Sequence, residues 1–207
     1  MRPDGTRVRD LTAIMQALPY VMPKRYDAQN WAEENLDEDA IRDYIRAKRR
    51  EGRSVTHMSL LVSAYYRAVL KNPKINYFVM HRRIYKRNHL CSRADGTPDE
   101  TSLKVYLEPE DTVFTVTEKI RSTIEKNQNV RHNNDTDRFA KFVFGVPGLA
   151  RAVFALAGFL DRHDLLPKSI IELSPFHTSL FVTNLASINT PCIFHHCYEF
   201  GTTSVFG

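Results

Sequence analysis

Two polar side chains follow a short apolar run in the last part of the chain. Leu180, Phe181 and Val182 are apolar and partly β-branched, which is typical of a buried strand. Thr183 and Asn184 then place a hydroxyl and an amide at the end of that strand. Such groups at the rim of a rigid sheet suit a site that donates hydrogen bonds to a developing oxyanion. They suit equally well a strand end where both side chains satisfy neighbouring backbone groups.

Three histidines near this strand are candidate bases or ligand-binding residues. His177 precedes the strand, and its sequence position fits a buried hydrogen-bonding residue as well as a binding residue. His195 and His196 are adjacent, so on an extended segment they point to opposite faces and at most one faces a given pocket. All three are retained as candidate ligand-binding residues.

The cysteines bear on metal binding and on the redox compartment. The run from Cys192 to Cys197 contains metal-ligand residue types, including His195 and His196. A structural zinc site usually draws on two ligand pairs separated in sequence, and no second pair is evident, so no metal is predicted. The three cysteines, an odd count without a disulfide-rich spacing, indicate a reducing cytosol and hence a cytoplasmic protein.

A basic segment covers residues 81–93. One interpretation is a solvated edge hairpin, because charges protect sheet edges from aggregation. The functional interpretation is that Arg82 and Arg83 attract the phosphate groups of a ligand or an acidic partner. No recognition motif accompanies the charge, so nucleic acid is not predicted as a partner. The basic residues are Arg82, Arg83, Lys86, Arg87 and Arg93.

Several blocks of the chain resemble one known family. Phe181-Val-Thr-Asn-Leu-Ala186 is similar to the Thr-Ile-Ser-Asn-Leu-Gly strand of the 2-oxoacid dehydrogenase acyltransferase catalytic domain, in the chloramphenicol-acetyltransferase-like superfamily. The resemblance is strongest to the stand-alone bacterial proteins that lack lipoyl and subunit-binding domains. Further blocks match in the same order: 19–25, 44–49, 76–79, 84–88, 107–112, 176–180 and 195–201.

The resemblance implies a fold, a reaction and a set of partners. The fold would be α/β: a two-layer sandwich with a mixed sheet and helices on one side. The reaction would move an acyl group between coenzyme A and a thiol, hydroxyl or amine acceptor, in a homotrimer with active sites between subunits. Thr183 would supply the oxyanion hydroxyl and Asn184 would support it. If the ligand is coenzyme A or acyl-coenzyme A, the functional interpretation of the basic segment is that Arg82 and Arg83 contact its phosphates.

The catalytic base that the family uses is absent from these residues. The family supplies it from a His-x-x-x-Asp-Gly motif, which does not occur here, and Ala186 stands where the family has Gly. We therefore expect residues 1–207 to be a single acyltransferase-like domain, truncated at its C-terminus and catalytically incomplete. The alternative is a non-catalytic protein of the same fold that binds coenzyme A or an acyl group, or that serves oligomer assembly.

Composition and periodicity set the remaining expectations. The 207 residues favour one domain, and 43% hydrophobic with 26% charged residues is ordinary for a soluble protein. The net charge of +5 mildly favours acidic partners. Arg151 and interrupting Gly and Pro residues argue against a membrane span in the apolar region 139–160, which predicts two short helices.

Local signals predict the other elements. Asp37 is expected to cap a helix over 36–51, and Thr56 a second helix that ends at Asn72. A third helix is expected from about 111 to 126. Strands are predicted over 75–80 and 102–107. Residues 14–22, closed by Pro19 and Pro23, predict an edge strand, and residues 1–10 an extended arm.

Overall fold

The computed structural model describes residues 2–95, 103–129, 144–183 and 193–207. The helices in these ranges are α1 (Ala13–Val21), α2 (Glu38–Arg50), α3 (His57–Lys71), α4 (Val113–Asn129), α5 (Leu149–Arg162) and α6 (Lys168–Leu173). The strands are β1 (Gly5–Arg7), β2 (Tyr77–Met80), β3 (Arg83–Arg87), β4 (Leu90–Asp95), β5 (Leu103–Leu107), β6 (Leu180–Thr183) and β7 (Val205–Phe206). Short 3₁₀ turns cover Arg25–Ala28 and Pro73–Asn76.

The strands of the described residues form two sheets. A mixed sheet has the order β5-β4-β6-β7, in which β4 is antiparallel to β5 and parallel to β6, and β6 is parallel to β7. An antiparallel sheet has the order β1-β3-β2. The predicted α/β class with a mixed sheet is confirmed.

Two long helices cover one face of the mixed sheet. Buried side chains of α3 and α4 pack against alternate residues of β4, β5 and β6, as expected where one face of each strand is buried. On the opposite face, Lys104 of β5 donates to the backbone oxygen of Ile171, 2.9 Å away, which connects β5 to the short helix α6. The core side chains are Val62, Tyr66, Val69, Leu90, Val105, Leu107, Val116, Ile120, Leu180 and Val182.

Two predicted helix caps are confirmed. The Asp37 carboxylate accepts hydrogen bonds from the backbone N–H groups of Asp39 and Ala40, at 3.1 and 3.2 Å. The Thr56 hydroxyl accepts from the backbone N–H of Ser59, whose own hydroxyl accepts from the Thr56 N–H. These bonds satisfy donors that the first turn of a helix leaves unpaired, so the two helices begin where the sequence indicates.

The prediction of an edge strand over residues 14–22 is wrong, because this segment forms α1. Pro19 is the seventh residue of the helix and removes one backbone donor. The bonds on either side remain: Gln16 N–H donates to Thr12 O at 3.1 Å, and Met22 N–H to Leu18 O at 2.9 Å. A nine-residue helix therefore tolerates the proline.

The N-terminal residues are part of the folded body. Arg2 and Asp4 are buried, and Gly5–Arg7 pairs with Tyr85–Arg87 of β3. Because β3 lies between β1 and β2, the interpretation of the basic segment as a solvated edge hairpin is wrong for β3. Arg87 is only 4% exposed, and its guanidinium donates to the backbone and side-chain oxygens of Thr202.

Candidate functional site

Thr183 stands at the C-terminal end of β6, a strand paired on both sides. The three residues before it are buried, whereas Thr183 is exposed. Its backbone N–H donates to Gly207 O at 3.0 Å. Within the described ranges, the Thr183 hydroxyl has no hydrogen-bond partner. A rigid strand therefore presents a hydroxyl that is available to a ligand.

A cleft of about 2150 Å³ opens beside Thr183. Its walls come from α1, the irregular segment 22–36, the β2–β3 hairpin, α5 and the segment 193–207. Both Thr183 and His195 line it, as does Arg82 on the hairpin. The structure thus brings three of the sequence-predicted residues to one cavity, large enough for an elongated ligand.

His195 belongs to an aromatic wall of this cleft. Phe206 stacks between Phe181 and His195, with ring centroids 4.7 and 4.8 Å away. Phe181 and Thr183 are alternate residues of β6 and share a face of the strand, so the stack of Phe181, Phe206 and His195 lies on the Thr183 face. Stacked rings fix the orientation of the imidazole without burying it.

The hydrogen bonds of His195 suit proton transfer. Its Nδ1 lies 2.6 Å from the backbone oxygen of His196. Because a carbonyl oxygen only accepts, Nδ1 carries the proton and donates a hydrogen bond to that oxygen. Nε2 is then the acceptor nitrogen, and the Tyr198 hydroxyl lies 3.4 Å from it. A positioned, exposed imidazole with an acceptor nitrogen can act as a general base. His196 is exposed beside Trp31, with ring centroids 6.1 Å apart, and does not line the cleft.

His177 occupies a different environment, which argues against the binding role assigned to it. It is fully buried, with Nδ1 2.7 Å from the Ser174 hydroxyl and Nε2 3.2 Å from the Asp161 carboxylate. Both ring nitrogens are therefore engaged and neither reaches the cleft. His177 holds Asp161 and the Ser174 turn in place, which is the buried hydrogen-bonding role.

Arg82 and Arg83 are adjacent in sequence but face different neighbours. Arg82 is exposed and lines the cleft, with its guanidinium 5.4 Å from the centre of the Tyr20 ring. The Arg83 guanidinium lies 3.8 Å from the Asp164 carboxylate and does not line the cleft. Of this predicted pair, only Arg82 is positioned for a ligand in the cavity.

Arg25 lines the cleft and was not singled out from the sequence. Its guanidinium donates to Thr203 O at 2.6 Å and to Gly201 O at 2.7 Å. Burial lowers the pKa of this guanidinium from its ordinary value, while the charge of Glu199 acts in the opposite direction. Arg25 lies in a block that carries the family resemblance, but its carbonyl partners are distant in sequence, so no local signal indicated them.

Some of the residues named from the sequence lie outside the described part of the chain. Asn184 and Cys192 are outside it. In residues 2–95, 103–129, 144–183 and 193–207, no group of three or more His, Cys, Asp or Glu side chains is arranged to hold a metal ion. No helix within the same ranges has the length and apolar character needed to cross a membrane.

Comparison with known proteins gives one structural likeness. No protein-family model matches the chain, and no curated protein matches it. A solved structure described as a probable dihydrolipoamide acetyltransferase from Listeria monocytogenes 4b F2365 is similar with a TM-score of 0.46 and 14% sequence identity. The similarity covers 94% of this chain and 70% of that one. A likeness at this level carries no argument about function.

Proposed function

We propose that this chain is an acyltransferase of the chloramphenicol-acetyltransferase-like fold that binds a coenzyme A thioester in the cleft beside Thr183. The observation that carries the proposal is the exposed Thr183 hydroxyl at the end of β6, on the same cavity as His195. The ordered sequence blocks that resemble the 2-oxoacid dehydrogenase acyltransferase domain, including its stand-alone bacterial form, support the same assignment.

In the proposed reaction, an acceptor S–H, O–H or N–H gives its proton to a base, and its heavy atom attacks the thioester carbonyl carbon. The Thr183 hydroxyl donates a hydrogen bond to the resulting oxyanion. Collapse of the intermediate breaks the carbon–sulfur bond, and the departing coenzyme A thiolate takes up a proton. We assign the role of base to His195, because its Nε2 is an acceptor nitrogen and it lines the same cavity as Thr183. His81 also lines the cavity, but it lies on the β2–β3 turn against the end of α5.

The assembly and location of the protein are parts of the same proposal. Resemblance to the family favours a homotrimer, and the cysteine pattern favours a reducing cytosol. Asn184, adjacent to Thr183, is assigned a supporting role. The coenzyme A ligand requires no metal for this chemistry.

The experiment is a release assay for free coenzyme A, with acetyl-coenzyme A and dihydrolipoamide as the first donor and acceptor. Thr183→Ala is expected to lower turnover by about 100-fold, as for loss of an oxyanion donor. Thr6→Ala is the control, because Thr6 is an exposed threonine on β1 away from the cleft. Equal turnover of the two variants would remove Thr183 from the reaction.

A second candidate function is a non-catalytic protein that binds coenzyme A or an acyl group. Such a protein would use the same cleft without acyl transfer. Calorimetric titration with coenzyme A and acetyl-coenzyme A separates the candidates when it is combined with the release assay. Binding without turnover supports the non-catalytic protein. If the protein shows no binding and no turnover, both candidates are contradicted.

A further inference from the structure

The two-residue turn between β2 and β3 has an unfavourable backbone for its residue types. Met80 pairs with Arg83, so His81 and Arg82 alone form the turn. Their φ angles are 47° and 60°, the left-handed values that a type I′ hairpin turn requires at both positions. Asn-Gly is the preferred pair there, because a Cβ in this conformation approaches the following carbonyl oxygen. Strain of this kind persists where the residues have another use.

The turn packs against the C-terminal end of α5. His81 Nδ1 lies 3.2 Å from the backbone oxygen of Arg162, and the rings of His81 and His163 are 5.2 Å apart. The Arg162 Nε donates to Gly158 O at 3.0 Å, which fixes its side chain along the helix. His81, Arg82 and Arg162 all line the cleft. Two exposed arginines therefore line the same cavity, and the turn that carries Arg82 contacts the backbone of Arg162.

Two carboxylates next to the turn are already engaged. Asp161 pairs with Arg2 and His177, at 2.7 and 3.2 Å. Asp164 accepts from the Tyr85 hydroxyl at 2.8 Å and lies 3.8 Å from Arg83.

Arg82 and Arg162 form no ion pair within the described residues. Across the part of the chain that the structure describes, neither Arg82 nor Arg162 has a carboxylate oxygen within the 4.0 Å of an ion pair. The exposed Lys74 lines the same cavity. Asp10 also contributes to the lining but forms no ion pair with either arginine.

We propose that Arg82 and Arg162 form a subsite for the phosphate groups of the ligand that occupies the cleft. A guanidinium presents paired N–H donors that match two oxygens of a phosphate, and such charge-assisted bonds are among the strongest in proteins. The contact between His81 and the Arg162 carbonyl holds the turn that carries Arg82 beside the end of α5 that carries Arg162. The subsite deepens the proposed function, since a coenzyme A thioester carries phosphates, but it would also bind free pyrophosphate.

The test replaces the strained turn by its preferred sequence. In the double variant His81→Asn/Arg82→Gly of the full chain, the turn relaxes, and the melting temperature is expected to rise by roughly 2 to 4 °C. Calorimetric affinity for pyrophosphate and for coenzyme A is expected to fall about tenfold or more. Arg162→Gln is expected to give a similar loss of affinity. Arg46→Gln, an exposed substitution on α2 outside the cleft, is the control and should change neither affinity.

The outcomes separate a binding role from a structural one. If His81 and Arg82 serve only to hold α5 and Tyr20, the double variant loses stability and keeps its anion affinity, which overturns the proposal. Absence of pyrophosphate and coenzyme A binding by the unaltered protein overturns it as well. Dephospho-coenzyme A, which lacks the 3′-phosphate, shows which phosphates of coenzyme A bind. If the arginine variants lose as much affinity for dephospho-coenzyme A as for coenzyme A, the subsite holds the diphosphate.

The subsite and the proposed reaction can fail independently. Pyrophosphate binding that depends on Arg82 and Arg162, without any acyl transfer, supports the subsite and contradicts the enzyme. Turnover that depends on Thr183, with anion affinity unchanged in the arginine variants, supports the enzyme and contradicts the subsite.

Discussion

At the scale of single residues, the most unusual feature is a buried ionic cluster that joins the N-terminus to α5. Arg2 is 2% exposed, and its guanidinium lies 2.7 Å from carboxylate oxygens of both Asp4 and Asp161. Burial raises the pKa of Asp161, but the hydrogen bond from His177 and the charge of Arg2 outweigh this and hold the pKa below its ordinary value. Charges taken out of water in this way are tolerated only because each has a partner.

Asp161→Asn should therefore lower stability and change its pH dependence. Removing one member of a buried ion pair typically costs about 3–5 kcal/mol, because the other charge stays buried. The depressed pKa means that the contribution of Asp161 is fully present above the unfolded value of about 3.9 and is lost as the pH falls through the folded value. Urea denaturation at several pH values should show that the free energy of unfolding falls more steeply with decreasing pH in the unaltered protein than in the variant.

The matched control is Asp43→Asn on α2. The Asp43 side chain is 76% exposed and lies 3.6 Å from Arg46, so its ion pair contributes little. Stability near pH 7 should be almost unchanged in this variant. If the free energy of unfolding fell equally steeply with decreasing pH in Asp161→Asn and in the unaltered protein, the link between stability and the depressed pKa of Asp161 would be contradicted.

At the scale of elements, two helix starts offer a comparison between a threonine that caps and one that does not. The Thr56 hydroxyl accepts the Ser59 N–H at 3.1 Å at the start of α3, whereas Thr12, before α1, makes no side-chain cap bond. Thr56→Ala is expected to lower the free energy of unfolding by about 1 kcal/mol. Thr12→Ala should cost clearly less, and equal losses from urea titrations would contradict the capping assignment.

The elements that the sequence predicts correctly are those whose signals are local. Asp37 and Thr56 bond to backbone groups two or three residues away, so the starts of α2 and α3 can be identified from a few letters. The prediction of an edge strand over residues 14–22 is wrong because it rests on Pro19 and Pro23, although one missing donor does not prevent a short helix. Arg2 could not be placed, because its partner Asp161 is 159 positions away.

The residues of the candidate site also fall into those with a local sequence signal and those without one. Thr183 was identified because a buried strand ends beside it in the sequence. The stacking of His195 on Phe206 and the contact of His81 with the backbone of Arg162 depend on tertiary packing, and no periodicity encodes either contact. Alternation along an extended segment predicts that at most one of His195 and His196 faces a given pocket, and of the two His195 lines the cleft.

At the scale of the whole molecule, α5 and the residues after it carry many exposed apolar side chains. Leu156 is 59% exposed, Phe159 52%, Leu165 62% and Leu173 84%. Single exposed leucines are ordinary, but a concentration on one helix and its neighbours is typical of a surface that another chain covers. This distribution and the family resemblance together favour self-association through α5.

We therefore expect the unaltered protein to sediment as a trimer, with three times the 23.9 kDa mass of one chain. Leu156→Glu should shift it towards the monomer, because a carboxylate in an apolar interface loses its water without gaining a partner. Leu70→Glu is the control, since Leu70 is 50% exposed but lies on α3, away from α5. Analytical ultracentrifugation over a range of concentrations measures both variants.

A monomeric unaltered protein would contradict the trimer, and equal dissociation of both variants would contradict the role of α5. A trimer that only Leu156→Glu dissociates would make α5 the contact surface, and the release assay on that monomer would then show whether the cleft needs a second chain.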